Sequence, residues 1–424
     1  MQNRVVPASA FARRARLAIA SLGMSALERG GRGLVITGLV LAGFGCGGET
    51  DKHDAMTDNF DRSALLAHLA TNVLLPIQED VAAKAALVPA AIEAHCTALG
   101  SGTGDTTLGT ARLAWQNAVD AWERADALKV GPAVMDALPA TLRDRIYAWP
   151  AQAPCDTDRD VVTHFNAPAS YDLTTKLGRQ RSLTTIEYLL FPQTDMHSCV
   201  TEPPGWTALA ANLPLARCRL ALTLAEDVAT AANELVTAWR ADGGNYVGEL
   251  AGAGTSASSI ASAHAGVNLV SNSFFYVDRD VKDMKLAESA GLVMTTVCGV
   301  VGEPCVREVE LRYADRATFA IRINLSALRQ AVSGTTPTAD GPGFDDFLIA
   351  VGQPDLAANM LADLDAAIAK ASALPDSFLG ALTSNYTAVV DTHAAIKQFT
   401  NDLKSQFLTV LALDIPDDVA SDND

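Results

Sequence analysis

The segment Arg181-Ser-Leu-Thr-Thr-Ile-Glu-Tyr-Leu-Leu-Phe-Pro192 sets one carboxylate, Glu187, inside an apolar run. Thr184 lies three residues earlier, so in a helix its hydroxyl shares a face with that carboxylate. A histidine and a carboxylate at this spacing can share a metal ion. A neutral hydroxyl is a poor ligand for zinc or iron(II), although it can hydrogen-bond a carboxylate. One carboxylate alone makes no tight metal site. A carboxylate buried without a partner is costly or protonated. Glu187 therefore has two readings: a polar anchor in a cleft, contacting a cation or another ligand, or a structural carboxylate. In the second reading it is paired with Arg181 or Arg322, or capped by backbone. Arg181 is six residues away on a different helix face, so a pair across the bundle is expected.

No other constellation supplies a reaction. There is no H-E-x-x-H, which a zinc peptidase needs with a third ligand. The serine-rich stretch 256–262 has no G-x-S-x-G elbow. His53 falls in a polar tether, His68 on the first expected helix and His95 beside Cys96 near a helix end. His164 and His197 fall in loop-like stretches, and His393 on the last expected helix. His264 is the histidine of most interest, because Ala263, Ala265 and Gly266 around it allow close packing beside a cleft. Asn324 is expected either to hydrogen-bond across a domain interface or to cap a neighbouring backbone. Trp115 and Trp122 are seven apart, two helical turns, and read as core.

Export is legible in the first 46 residues. An apolar run, Gly33–Phe44, follows Arg29 and Arg32 and is too short for a bilayer of roughly 30 Å. It ends at Gly45-Cys46, which resembles a lipobox, so Cys46 is expected to be lipidated and to anchor the chain in the outer membrane. Met24 would start a leader of ordinary length, so the true start is Met1 or Met24. Six cysteines remain: Cys96, Cys155, Cys199, Cys218, Cys298 and Cys305. In an exported chain an even count reads as disulfides. Cys298–Cys305 is a local pair, Cys199–Cys218 would staple a loop, and Cys96–Cys155 is left by elimination. The formal net charge is -17, and the leader, with six Arg and one Glu, is basic, so the rest is more acidic still. Nucleic acid, which needs a basic face, is excluded as a partner.

Helix signals dominate the remainder. Apolar periodicity predicts helices over 62–88 (with Pro76 kinking or dividing it), 113–128, 206–240, 258–275, 317–332, 356–374 and 386–411. Loops are expected at 100–107, 147–160, 193–204, 299–304 and 334–343. The fold class is all-α, with two packed helical bundles. The expected division is a signal segment 1–46, a tether 47–58, an N-terminal bundle 59–241, a C-terminal bundle 242–415 and an acidic tail 416–424.

The Arg181–Phe191 stretch resembles the signature helix of the imelysin family, whose pattern is G-x-H-x-x-E followed by an aromatic and two leucines. Ser182 stands at the glycine position, Thr184 at the histidine position, and Glu187 is kept. Further landmarks follow in family order: Trp115-x6-Trp122-x3-Asp126 with Gly131-Pro132, Trp149-Pro150, Trp239 with Gly243-Gly244-x-Tyr246, an Asp283-Met-Lys285-Leu286 turn, and Asn324-Leu325 with Gly334. The resemblance spans residues 60–412. It implies an exported two-bundle protein associated with iron uptake, and either a metal-dependent peptidase or a metal-binding protein. The missing histidine turns the expectation toward a non-catalytic lipoprotein that binds a ligand, a divalent metal or a protein partner at an inter-bundle cleft. Glu187, Thr184, Arg181, Asn324 and His264 are its candidate site residues.

Overall fold

Helix Leu213–Trp239 runs for 27 residues and buries neighbours on several sides. Alanines 216, 221, 225, 231 and 232 are all buried, and their small side chains let other helices approach from more than one direction. Leu75–Ala85, Val88–Gly100, Leu142–Ile146, Pro154–Asn166 and Leu183–Leu190 all pack on it. A computed structural model describes residues 58–102, 105–134, 141–192 and 194–416. Cys46, His53, the tether before Asp58 and the tail beyond Pro416 lie outside the described residues.

Every regular element among the described residues is helical, so the fold is all-α. Ala317–Ser333, Pro354–Ala373, Tyr386–Asp402 and the π-helical Val277–Glu288 pack on one another. Asp105–Ala127 touches both groups, because it lies against Leu75–Ala85 and Val88–Gly100 and also against Ala317–Ser333. Arg62–His68 packs on Tyr246–Ala251 and Ala263–Ser273, so contacts cross the turn at 242–245. No described helix is long and apolar enough to cross a membrane.

Most expected helices are present. The 62–88 stretch divides into Arg62–His68, a π-helical Leu69–Leu74 and Leu75–Ala85. Pro76 falls in the first turn of the last of these, directly after the π-helical turn. Trp115 and Trp122 are wholly buried. Gly334 caps Ala317–Ser333 in the left-handed region, at φ +66.

Three expectations are corrected. The stretch 147–160 is not all loop, because Pro154 opens helix Pro154–Asn166, and His164 lies on it. Its polar residues hid it. Asp158 and Asp160 are buried with partners, Asp158 accepting from the Tyr188 hydroxyl at 3.0 Å and Asp160 from Gln180 at 3.1 Å. Asp283–Leu286 is not a turn but part of the π-helical Val277–Glu288. The cysteines do form disulfides, but Cys199–Cys218 and Cys96–Cys155 are not the pairs. Cys96 bonds Cys218, Cys155 bonds Cys199, and only Cys298–Cys305 is as expected. Val88–Gly100 packs on Leu213–Trp239, which brings the Cys96 and Cys218 Cα atoms within 5.5 Å. That packing joins residues 122 apart, and spacing cannot reveal it.

Candidate functional site

The signature segment folds as helix Leu183–Leu190, with all eight residues buried. Asp105–Ala127 clamps both its ends. The Trp115 indole N–H donates to the Leu183 carbonyl at 2.8 Å. Arg112 donates to the Leu190 and Phe191 carbonyls at 2.9 and 3.0 Å, satisfying the C-terminal groups that a helix leaves open.

Glu187, wholly buried, is capped by backbone and paired with neither arginine. Its Oε1 accepts from the Tyr313 and Ala314 amides, each at 2.9 Å. Consecutive N–H groups aimed at one oxygen form a nest, a fixed partial positive charge. Leu311 and Asp315 flank the pair in the left-handed region at φ 49 and 50. A bulky residue there is strained. Packing holds it, since Leu311 is wholly buried and Asp315 accepts from the Leu379 amide at 3.1 Å and from the Ser377 hydroxyl. Oε2 of Glu187 is buried without a hydrogen-bond partner. Burial pushes the Glu187 carboxyl up to about 7, against the pull of the two amides and of Arg312.

The other candidates are placed as follows. Thr184 exchanges a hydrogen bond with Ser182 Oγ at 2.8 Å. Arg181 precedes the helix and pairs across the bundle with Asp227, Nε to Oδ2 at 2.8 Å. Arg322 is taken by the Ala371 carbonyl at 3.0 Å and Asp376 at 2.9 Å. His264 is half-buried in the first turn of Ala263–Ser273, which packs on Arg62–His68. Asn324 bonds Glu123 and Lys285, on two other helices. Its amide donates to the Glu123 carbonyl at 2.7 Å and to Glu123 Oε2 at 2.9 Å, while its Oδ1 accepts from Lys285 at 2.8 Å.

Asn324 leads to a second buried cluster. Lys285 Nζ lies 2.7 Å from Glu123 Oε2 and 2.8 Å from Glu310 Oε2. Tyr147 donates to Glu310 Oε1 at 2.6 Å. All five side chains are wholly buried. Burial lowers a lysine's pKa, but Glu123 and Glu310 outweigh it and hold Lys285 above its ordinary value. Burial, then the neighbouring Glu123, pushes Glu310 up against the pull of Lys285 and Tyr147. Segment 310–315 serves both clusters, carrying Glu310 to Lys285 and two amides to Glu187.

Beside this cluster Lys129, Arg143, Asp144, Trp149, Arg279 and Asp280 line an open hollow of about 380 Å³. Lys285 lies 5.7 Å from the Trp149 ring. Burial raises the Asp126 carboxyl, but Arg143 and Lys129 outweigh it and hold it below the usual carboxylate range.

Glu123, Glu310, Tyr147 and the 313–314 amides were not identifiable as site residues from the sequence. One signal existed for Glu123, which continues the four-residue stripe of Trp115 and Val119 and so had to be buried or break the pattern. The amides leave no mark in side-chain chemistry.

The donors at the signature helix do not fit a divalent metal. The hydroxyl of Thr184 is engaged with Ser182, and Glu187 offers one open oxygen. Among the described residues, no group of three or more His, Cys, Asp or Glu side chains could hold an ion.

The imelysin (peptidase M75) family model matches residues 74–406. An imelysin-like protein from Psychrobacter arcticum 273-4 has a similar fold, with a TM-score of 0.57, at 16% identity, covering 85% of this chain and 99% of that one. A protein described as an iron-regulated protein A precursor, from Parabacteroides distasonis ATCC 8503, gives a TM-score of 0.60 at 18% identity, covering 82% of this chain and 95% of that one. No curated protein matches the chain. With the family match spanning most of its length and the signature glutamate in place on a buried helix, this chain belongs to the imelysin family.

Proposed function

We propose that this chain is a non-catalytic cell-envelope member of the imelysin family that binds a ligand or protein partner in iron or metal acquisition. The carrying observation is the use made of the signature helix. Glu187 is committed to the Tyr313 and Ala314 amides, so the helix braces segment 310–315 and presents no ligand set. Binding then falls to the open hollow beside Lys285, lined by Arg143, Trp149 and Arg279. Three disulfides support an oxidising compartment. The Gly45-Cys46 sequence supports a lipid anchor to the outer membrane. The link to iron rests on the description of the Parabacteroides distasonis protein.

The test is elemental analysis of the purified exported chain, beside a peptide-cleavage assay. The expected outcome is no stoichiometric zinc or iron, no cleavage, and the same metal content in Glu187→Ala. Stoichiometric metal that disappears in Glu187→Ala, or metal-dependent cleavage, would overturn the reading in favour of a metal-binding protein or a peptidase.

A further inference from the structure

A cavity of about 200 Å³ lies between the C-terminal end of Leu183–Leu190 and the start of Leu213–Trp239, and neither Glu187 nor the Lys285 cluster lines it. Its walls are polar and apolar in equal measure, with Leu99, Leu108, Leu190 and Leu213 forming an apolar side, and the Cys96–Cys218 disulfide fixes one wall. Two basic residues break that surface, His95 and Arg217, both buried.

Arg217 is 5% exposed, and among the described residues no carboxylate forms an ion pair with it, although Asp158 and Asp195 lie close enough to act on it. Two of its N–H groups go to main-chain carbonyls, of Thr194 and of Met196, the latter at 3.0 Å. Its Nε is buried with no hydrogen-bond partner. Trp206 stacks on it at 5.5 Å. Burying a cation without a counter-charge is costly. Arg217 also sits early in a 27-residue helix, whose N-terminal end adds positive potential. Asp158 and Asp195 stand near enough to act on this guanidinium, but neither pairs with it, so the cavity holds a buried cation with an open N–H group.

We infer that this cavity binds a small monocarboxylate with an apolar body, its carboxylate on Arg217 and its hydrocarbon against the leucines. One guanidinium and the exposed Asp195 at the lining disfavour a dianion such as phosphate. The volume lies below the roughly 300–1,000 Å³ of drug-sized pockets, so the occupant is small. The site is independent of the reading proposed above and of Glu187.

Calorimetric titration of the purified chain with hexanoate, hexan-1-ol and hexylamine tests this. Hexanoate is expected to bind one per chain, and the alcohol and amine at least tenfold more weakly. Arg217→Gln and the cavity-filling Leu108→Trp are each expected to lose at least tenfold in hexanoate affinity. Arg217→Gln also removes a bond to the loop at 194–196, so it is read only where its circular dichroism and melting match the parent. Leu108→Trp leaves Arg217 intact. The inference fails if hexanoate does not bind, if the alcohol or amine binds as well, or if a folded Leu108→Trp binds hexanoate like the parent. The three-probe series on the parent chain decides the matter even if neither variant folds.

Discussion

Glu187 and the Glu123–Glu310 pair are all wholly buried, and the same six residues, 310–315, touch both, yet they are stabilised in opposite ways. Glu123 and Glu310 share a buried ammonium, an asparagine and a phenol. Glu187 has two backbone amides and no cation in contact. Fixed dipoles satisfy the geometry of one oxygen but do not match the hydration that a full charge loses. The Glu187 carboxyl accordingly rises to about 7, whereas in the other cluster Glu123 and Glu310 hold Lys285 charged, even though burial and Glu123 push the Glu310 carboxyl up as well. Backbone can position a buried carboxylate; a buried ammonium stays charged because carboxylates surround it.

The largest effect should come from removing that ammonium. Lys285→Met leaves Glu123 and Glu310 facing each other, and breaking a buried pair typically costs about 3–5 kcal/mol. Urea denaturation should show the midpoint fall by that equivalent, with part of it regained in Lys285→Met/Glu310→Gln. An unchanged midpoint would mean the cluster is not a brace.

Glu187→Gln tests the other side. The folded carboxyl is raised from 4.5 to about 7. Between those values the folded state keeps a proton that the unfolded state has lost, so stability falls as pH rises through this window. The integrated loss is about 3 kcal/mol at pH 8 relative to pH 4. The amide keeps an acceptor for Tyr313 and Ala314 and carries no charge. The variant should match the parent at pH 4 and exceed it at pH 8, measured by denaturation at both. Equal stability at pH 8 would show that Glu187 is already ionised at no cost.

Asn324→Ala is the gentlest break. It removes one acceptor from Lys285 and the donors to the Glu123 carbonyl and carboxylate, leaves the ion pairs standing, and should cost about 1–3 kcal/mol. A loss as large as that of Lys285→Met would make the amide, not the charge, the centre of the cluster.

How much of this could be read beforehand depended on range. Helices such as 317–333 and 354–373 follow from apolar residues three and four apart, a local signal. Helix Pro154–Asn166 escaped because its buried face includes Thr157, which donates to the Ala153 carbonyl, and Asp158 and Asp160, which are satisfied by side chains further along the chain. Glu187 stood out as a carboxylate in an apolar run, but its partners, two main-chain amides 126 and 127 residues away, did not. The disulfide pairs failed for the same reason, except Cys298–Cys305, which are only seven apart.

The sequence by itself therefore determined the all-α class, the family, the buried glutamate and the absence of histidine beside it, because each is a matter of residue type and short spacing. Only the tertiary structure decided that Arg181 answers Asp227 and not Glu187, that Lys285 lies buried between two glutamates, and that segment 310–315 joins both clusters. Which buried charge meets which counter-charge depends on how helices pack, and packing is a sum over contacts between residues that the chain order keeps far apart.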